Sequence, residues 1–174
     1  MAKDKSGFEQ LLEQVSFYLN SLFCKIENKA KKEGTQSITE SEQSSLLAYD
    51  TFGVIGNGGL PYFFHFNIDI EAAARAYELI GKKTVATKLR ESLSKFPSKR
   101  KPSDPDEMDA IVDKHEKYFN DLGMKILEEL EDFDQVITAY IASNASQFSV
   151  GKEDVKKLCD LCAGIKVQSP RKRS

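Results

Sequence analysis

Apolar residues recur along this chain at steps of three and four, and nowhere in a convincing alternation of two. Phe8, Leu11, Leu12, Val15, Leu19, Leu22, Phe23 and Ile26 draw one stripe on a long amphipathic helix. Lys29, Lys31 and Lys32 fall near its end, where cations oppose the helix dipole, and Gly34 predicts its stop. Thr39, Glu40, Ser41 and Glu42 form a capping box, in which the threonine hydroxyl accepts from the N–H three residues on and the glutamate reaches back. The helix so opened carries Leu46, Leu47, Tyr49 and Phe52. It is expected to end near Gly56, because Asn57-Gly58-Gly59 offers a turn with positive φ available. Leu60, Pro61, Tyr62, Phe63, Phe64 and Phe66 follow as the densest aromatic cluster in the chain.

Asp69 is placed to cap a helix through Ala72, Ala73, Ala76, Tyr77 and Ile80, with Gly81 as its stop. Val85, Leu89, Leu93 and Phe96 mark another, closed by Pro97. Asp104-Pro105 has the form of an N-cap followed by proline at the first helical position. Met108, Ile111, Val112, His115 and Phe119 continue from it, with a break or kink expected at Asn120 or Gly123. The helical period then resumes through Ile126, Leu127, Leu130, Phe133, Val136, Ile137, Tyr140 and Ile141. A last helix, about Glu153 to Ile165, carries Val155, Leu158, Leu161 and Cys162. The pattern predicts an all-α fold: a single compact domain of about six or seven helices.

Composition sets limits on this picture. With 174 residues and 40% hydrophobic content, the chain has enough apolar material for one core. The formal net charge is -2, which disfavours both a globally basic nucleic-acid binder and an acidic tail protein. No apolar run approaches the roughly 18 residues of a membrane span, and Met1 to Ser6 is charged with no apolar stretch behind it, unlike a signal peptide. The expected setting is therefore cytoplasmic, without membrane contact. Cys24, Cys159 and Cys162 are too few, and odd in number, for a disulfide framework.

The near-neutral total hides segregation. Lys82 to Lys101 holds eight bases against the single acid Glu91, a local balance of +7. Asp104 to Asp134 holds twelve acids against Lys114, Lys117 and Lys125, a balance of -9. Asp109 with Asp113, and Glu128 with Asp132, are spaced to share a helix face, with roughly 5–6 Å between Cβ atoms. That is of the order of phosphate spacing along one DNA strand. Over one continuous helix the acids would fall about every 4 Å, against about 1.7 Å per charge for duplex DNA, so a dimer would imitate DNA better than one copy. Asp109, Asp113, Glu116, Glu128, Glu129, Glu131, Asp132 and Asp134 are the candidate interaction surface, for a basic DNA-binding or regulatory protein. The plain alternative is that they are solvated helix faces. The basic segment is likewise either a solvated face, a neutralising partner for the acids within the fold or across a dimer, or a direct nucleic-acid contact with the Arg171-Lys172-Arg173 tail. The last is the weaker expectation.

No catalytic constellation is legible, and no cofactor or metal site. Cys159-x-x-Cys162 stands without a second pair, whereas a structural zinc needs four ligands. A redox pair, with Lys156 and Lys157 lowering a thiol pKa, is the thiol alternative. Small buried hydrophobes are the ordinary role for such cysteines, Cys24 included. His65 and His115 form no ExxH or HExxH pattern and are expected at the core or its boundary. There is no Walker-type loop and no GxSxG. Asn57-Gly58-Gly59 reads as a turn before it reads as an anion nest.

The stretch from Leu46 to Asn144 resembles a bacterial family named after DNA mimic protein 19. The resemblance rests on Asn57-Gly58-Gly59, then Phe63-Phe64 with Asn67, then Ala76 through Ile80-Gly81, then Phe96-Pro97, and finally Tyr140-Ile141 with Asn144. It implies an all-α homodimer and a non-enzymatic protein-interaction module. The named member is an acidic protein that occupies the DNA-binding surface of a transcription factor. The motif residues are turn formers and core aromatics, a fold signature that carries no acid, base or nucleophile. The organisation expected is an N-terminal amphipathic helix (1–38), a family-like helical core (39–148), a C-terminal helix (149–168) and a disordered basic tail (169–174), one domain overall.

Overall fold

The computed structural model describes residues 6–168, so the expected disordered tail lies outside the described residues. Within them the chain is all-helical, with eight α-helices and no strand. These are α1 (Gly7–Glu33), α2 (Glu40–Phe64), α3 (Ile70–Leu79), α4 (Lys83–Ser92), α5 (Pro105–Lys114), α6 (Glu116–Glu129), α7 (Phe133–Ser143) and α8 (Lys152–Gln168). They group into two compact units. One joins the N-terminal segment up to Leu46 with the segment from Asp132 onward; the other is Leu47–Glu131. The divide falls inside α2 and between α6 and α7.

In the first unit, α1 packs against α7 and α8, which also pack on each other. Ser6 and Glu9 close a capping box on α1, and its stripe Val15, Leu19, Leu22, Phe23 and Ile26 is buried as the spacing predicts. Gly34 ends it. The start of α2 is fixed by its own capping box: Glu42 N–H donates to the Thr39 hydroxyl at 3.2 Å, and Thr39 N–H donates to Glu42 Oε2 at 2.7 Å. The same carboxylate is fully buried and accepts at Oε1 from the Ser149 and Val150 N–H groups, at 2.6 and 2.7 Å. A helix cap thereby also fastens the loop that leads into α8. A second buried acid, Asp154, accepts from Lys25 Nζ at 2.6 Å and Ser21 Oγ at 3.2 Å, tying α8 to α1.

In the second unit, α3 and α4 form a hairpin around Gly81, while α6 packs on α4 and α5. Asp69 caps α3 and Asp104 caps α5 ahead of Pro105, as their positions predict. The centre is aromatic. Phe64 meets Phe96 and Phe119 edge-on at 5.0 and 4.9 Å between centroids, and Phe96 stacks on Phe119 at 5.6 Å. Tyr77 is fully buried and donates its hydroxyl to the Ala48 carbonyl at 3.1 Å.

Three expectations are corrected. The Asn57-Gly58-Gly59 segment does not end α2. Only Gly59 leaves the helical region, at φ 72 and ψ -172, and the aromatic cluster resumes as helix to Phe64. The break puts Pro61 in the first turn of the resumed piece, where its missing N–H is no loss. Gly58 stays helical, and its lack of a side chain serves close packing, since an added Cβ would meet Tyr62 Cβ at 2.5 Å. The helix count is eight, not six or seven, because the acidic stretch breaks at His115 and again at Leu130–Asp132. None of these positions holds glycine or proline, so the sequence carries no local signal for them. The expected break at Asn120 or Gly123 is absent. Gly123 is buried inside α6, where an added Cβ would lie 3.3 Å from Leu60 N, so it serves close packing.

The dihedrals of Gly59 fall in a region populated essentially by glycine alone. Gly59→Ala is expected to lower stability by about 1–3 kcal/mol, read as a shift of the urea midpoint. An unchanged midpoint would show that the kink can be made without glycine.

Candidate functional site

The acids lie where helix amphipathicity puts them. α5 turns Met108 and Val112 inward and α6 turns Phe119, Leu122 and Ile126 inward. Asp109, Asp113, Glu116 and Glu128 are accordingly exposed, and so is Glu131 in the turn that follows α6. Asp109 faces His65 Nε2 at 3.7 Å. Asp113, Glu116, Glu128 and Glu131 have no cationic partner among the described residues. Asp132 and Asp134 belong to the other unit, so the eight candidates are not one set on one unit. Asp134 accepts from the Ser16 hydroxyl there.

Glu129 stands apart from its neighbours. Lys88 Nζ and Thr84 Oγ1 donate to its two carboxylate oxygens at 3.0 and 2.9 Å, and Lys82 Nζ donates to its carbonyl at 2.6 Å. The hydrogen bonds from Lys88 and Thr84 hold its carboxyl below the usual glutamate value. Glu129 is therefore a fastening between α4 and α6, and reversing its charge would disturb the unit as well as its surface.

Other members of the basic segment are used similarly. The Arg90 guanidinium forks onto Glu71 at 2.7 and 2.8 Å and reaches Glu78 at 2.6 Å, lowering both carboxyls. Lys95 Nζ lies 4.5 Å from the centre of the Tyr118 ring, a cation–π contact. Lys101 Nζ donates to the Phe66 carbonyl at 2.6 Å. Within this unit the two charge blocks thus meet directly at Glu129 and hardly elsewhere. Arg90 reaches α3, Lys82 and Lys101 reach backbone carbonyls and Lys88 reaches Glu129, while Asp113, Glu116, Glu128 and Glu131 stay open. Sequence order could suggest that the blocks cancel. Only the fold shows which acids Arg90 and Lys88 reach.

The fold-signature residues divide by role. Phe63 and Phe64 are buried, whereas Asn57, Gly58 and Asn67 are exposed. Asn67 lines a cleft of about 900 Å³ together with Ile68, Asp69, Leu93, Lys99 and Arg100. His115 lies at the core boundary as expected, but His65 is exposed, in the turn just past the end of α2. Cys24 is likewise exposed, not buried, since it follows the buried Leu22–Phe23 pair on the outer side of α1. Cys159 is half-buried beside a second cleft of about 640 Å³ that also takes in Lys152 and Lys156. Burial and the neighbouring Cys162 raise its thiol pKa above the ordinary value, opposite to the lysine-lowered thiolate a redox pair would use. Among the described residues no group of three or more His, Cys, Asp or Glu could hold a metal ion. None of their helices is long and apolar enough to cross a membrane.

Sequence reasoning missed the buried carboxylate at Asp154 and the double duty of Glu42. The capping box flags Glu42, but its loop donors lie more than a hundred residues away.

Among the described residues, eight α-helices without a strand and a glycine-kinked aromatic helix define an all-α protein. The chain belongs to the DMP19-like protein family, whose model matches residues 36–144, more than half its length. The match opens ten residues before Leu46, taking in the Thr39 capping box. No curated protein and no solved structure matches the chain.

Proposed function

We propose that this protein is a non-enzymatic interaction module that binds a basic DNA-binding protein in place of DNA, acting as a homodimer. The contact surface is the outer side of α5 and α6. The observation that carries this reading is that Asp113, Glu116, Glu128 and Glu131 are exposed without a cationic partner, although eight bases precede them in sequence. Family membership supports it. Glu116 to Glu128 covers twelve residues of helix, about 18 Å, the length of about five phosphates on one strand. The charges are sparser than on DNA, so the surface works by steering and by a few direct pairs, and its affinity falls as salt screens it.

The test combines capture with competition. The full chain should retain a basic DNA-binding protein from native lysate at low salt, and duplex DNA should displace it. Charge reversal at Asp113, Glu116, Glu128 and Glu131 together, leaving Glu129 in place, is expected to abolish capture while the helical circular dichroism is unchanged. Retention of the partner by that variant would sink the proposal. Light scattering of the purified protein should return twice the monomer mass of 19.6 kDa.

A further inference from the structure

Two of the bases without an ion-pair partner lie side by side on a concave feature. Lys99 and Arg100 are exposed, have no ion-pair partner among the described residues, and line the cleft of about 900 Å³ in the Leu47–Glu131 unit. Lys101 lines it too, but its amine is already on the Phe66 carbonyl at 2.6 Å. The exposed Asn67 amide and the apolar Ile68 and Leu93 complete the lining that matters. Asp69 and Glu71 also border the cleft, and both are occupied: Asp69 accepts from Ala72 N–H as the cap of α3, and Glu71 is gripped by Arg90. The loop carrying the two free cations is strained. Ser98 and Lys99 both hold left-handed backbone, at φ 55 and 52, although neither is a glycine or an asparagine. Hydrogen bonds from Lys99 N–H to the Phe96 carbonyl and from Arg100 N–H to the Pro97 carbonyl, at 3.1 and 3.2 Å, hold it so.

We propose that this cleft binds a small molecule bearing one phosphate monoester, held between the Lys99 ammonium and the Arg100 guanidinium. Its apolar or planar body lies on Ile68 and Leu93, and the Asn67 amide reads a polar edge. Lys99, Arg100 and Lys101 outnumber Asp69 and Glu71 on the lining, Glu71 being already paired with Arg90, and the volume lies within the range of small-ligand pockets, about 300–1,000 Å³. An extended polyanion fits poorly. Lys88 is bonded to Glu129 and Arg90 to Glu71 and Glu78, so neither is free to take a second phosphate, and Asp69 and Glu71 on the same rim repel further phosphates. The proposal is independent of the acidic surface on α5 and α6.

The test follows backbone amide shifts of the isotope-labelled full chain while adenosine monophosphate, inorganic phosphate, adenosine and a single-stranded oligonucleotide are added separately. Adenosine monophosphate should give saturable shifts at Asn67, Ile68, Lys99 and Arg100. Inorganic phosphate should bind the same amides more weakly, and adenosine more weakly still. Lys99→Ala with Arg100→Ala should weaken nucleotide binding by at least about tenfold. Both side chains are exposed, so unchanged circular dichroism is expected for that variant. The proposal is overturned if neither phosphate compound gives saturable shifts up to about 10 mM, or if the double variant binds as tightly as the parent. Tighter binding by the oligonucleotide than by adenosine monophosphate would also overturn it, by making the loop a nucleic-acid contact.

Discussion

Phe64→Ala is expected to lower the unfolding free energy by about 3–5 kcal/mol, the range for removing a large buried aromatic side chain. Phe64 is 1% exposed. Its ring presents to Phe96 and Phe119 at 5.0 and 4.9 Å between centroids, and to Phe63 at 5.9 Å. Truncation therefore removes apolar burial and two edge-to-face contacts, each worth about 0.5–1.5 kcal/mol beyond area. The remaining rings sit on separate segments: Phe119 on α6, and Phe96 on extended backbone just ahead of Pro97. They have little freedom to collapse into the space. Urea denaturation monitored by circular dichroism measures the loss. A change under about 1 kcal/mol would mean that the core closes over the gap, contrary to the packing described.

Glu42→Ala is expected to cost about 2–4 kcal/mol, for a different reason. The carboxylate is fully buried and accepts from the N–H groups of Thr39, Ser149 and Val150, with the Ser149 hydroxyl 3.1 Å from both oxygens. Alanine leaves these donors without their acceptor, and an unsatisfied buried donor costs about 1–3 kcal/mol where water cannot reach it. Glu42→Gln separates shape from charge. Oε1 and Oε2 each accept from backbone N–H, so whichever way the amide is turned its NH2 faces a donor. The glutamine variant should therefore also be clearly destabilised in the same denaturation experiment. Parent-like stability of Glu42→Gln would show that the acceptor pattern, and not merely side-chain volume, has been misassigned.

The helical class and most helix ends were legible because they are encoded locally. Asp69, Asp104 and the Thr39–Glu42 pair act within three residues, and Gly34 and Gly81 stop helices through their own backbones. The breaks at His115 and Leu130 were not legible. Neither holds a glycine or proline, and the helices on either side each bury an aromatic ring beyond the break, Phe119 on α6 and Phe133 on α7. The composition of Asn57-Gly58-Gly59 marks the segment as special but points to a turn. Three permissive residues in a row do not reveal that only one leaves the helix. At the candidate surface the acids and their helices could be read off the sequence. Their neutralisation could not. Lys88 reaches Glu129 across forty-one residues of chain, whereas Glu128 beside it has no cation. The interruption at His115 also removes the single long acidic rod that the spacing suggested and leaves two shorter segments in its place.

The chain order of the first unit has a consequence for synthesis. α1 ends at Glu33, and α7, the first of the two later helices that cover its apolar stripe, begins at Phe133. At about 5–20 residues per second, a ribosome needs about 5–20 s to supply the intervening chain. The Leu47–Glu131 unit is contiguous and leaves the ribosome ahead of α7 and α8, so its core can begin to form before theirs. α1 emerges first and finds its partners last, so a nascent chain carries Val15, Leu19, Leu22, Phe23 and Ile26 uncovered until α7 and α8 leave the exit tunnel.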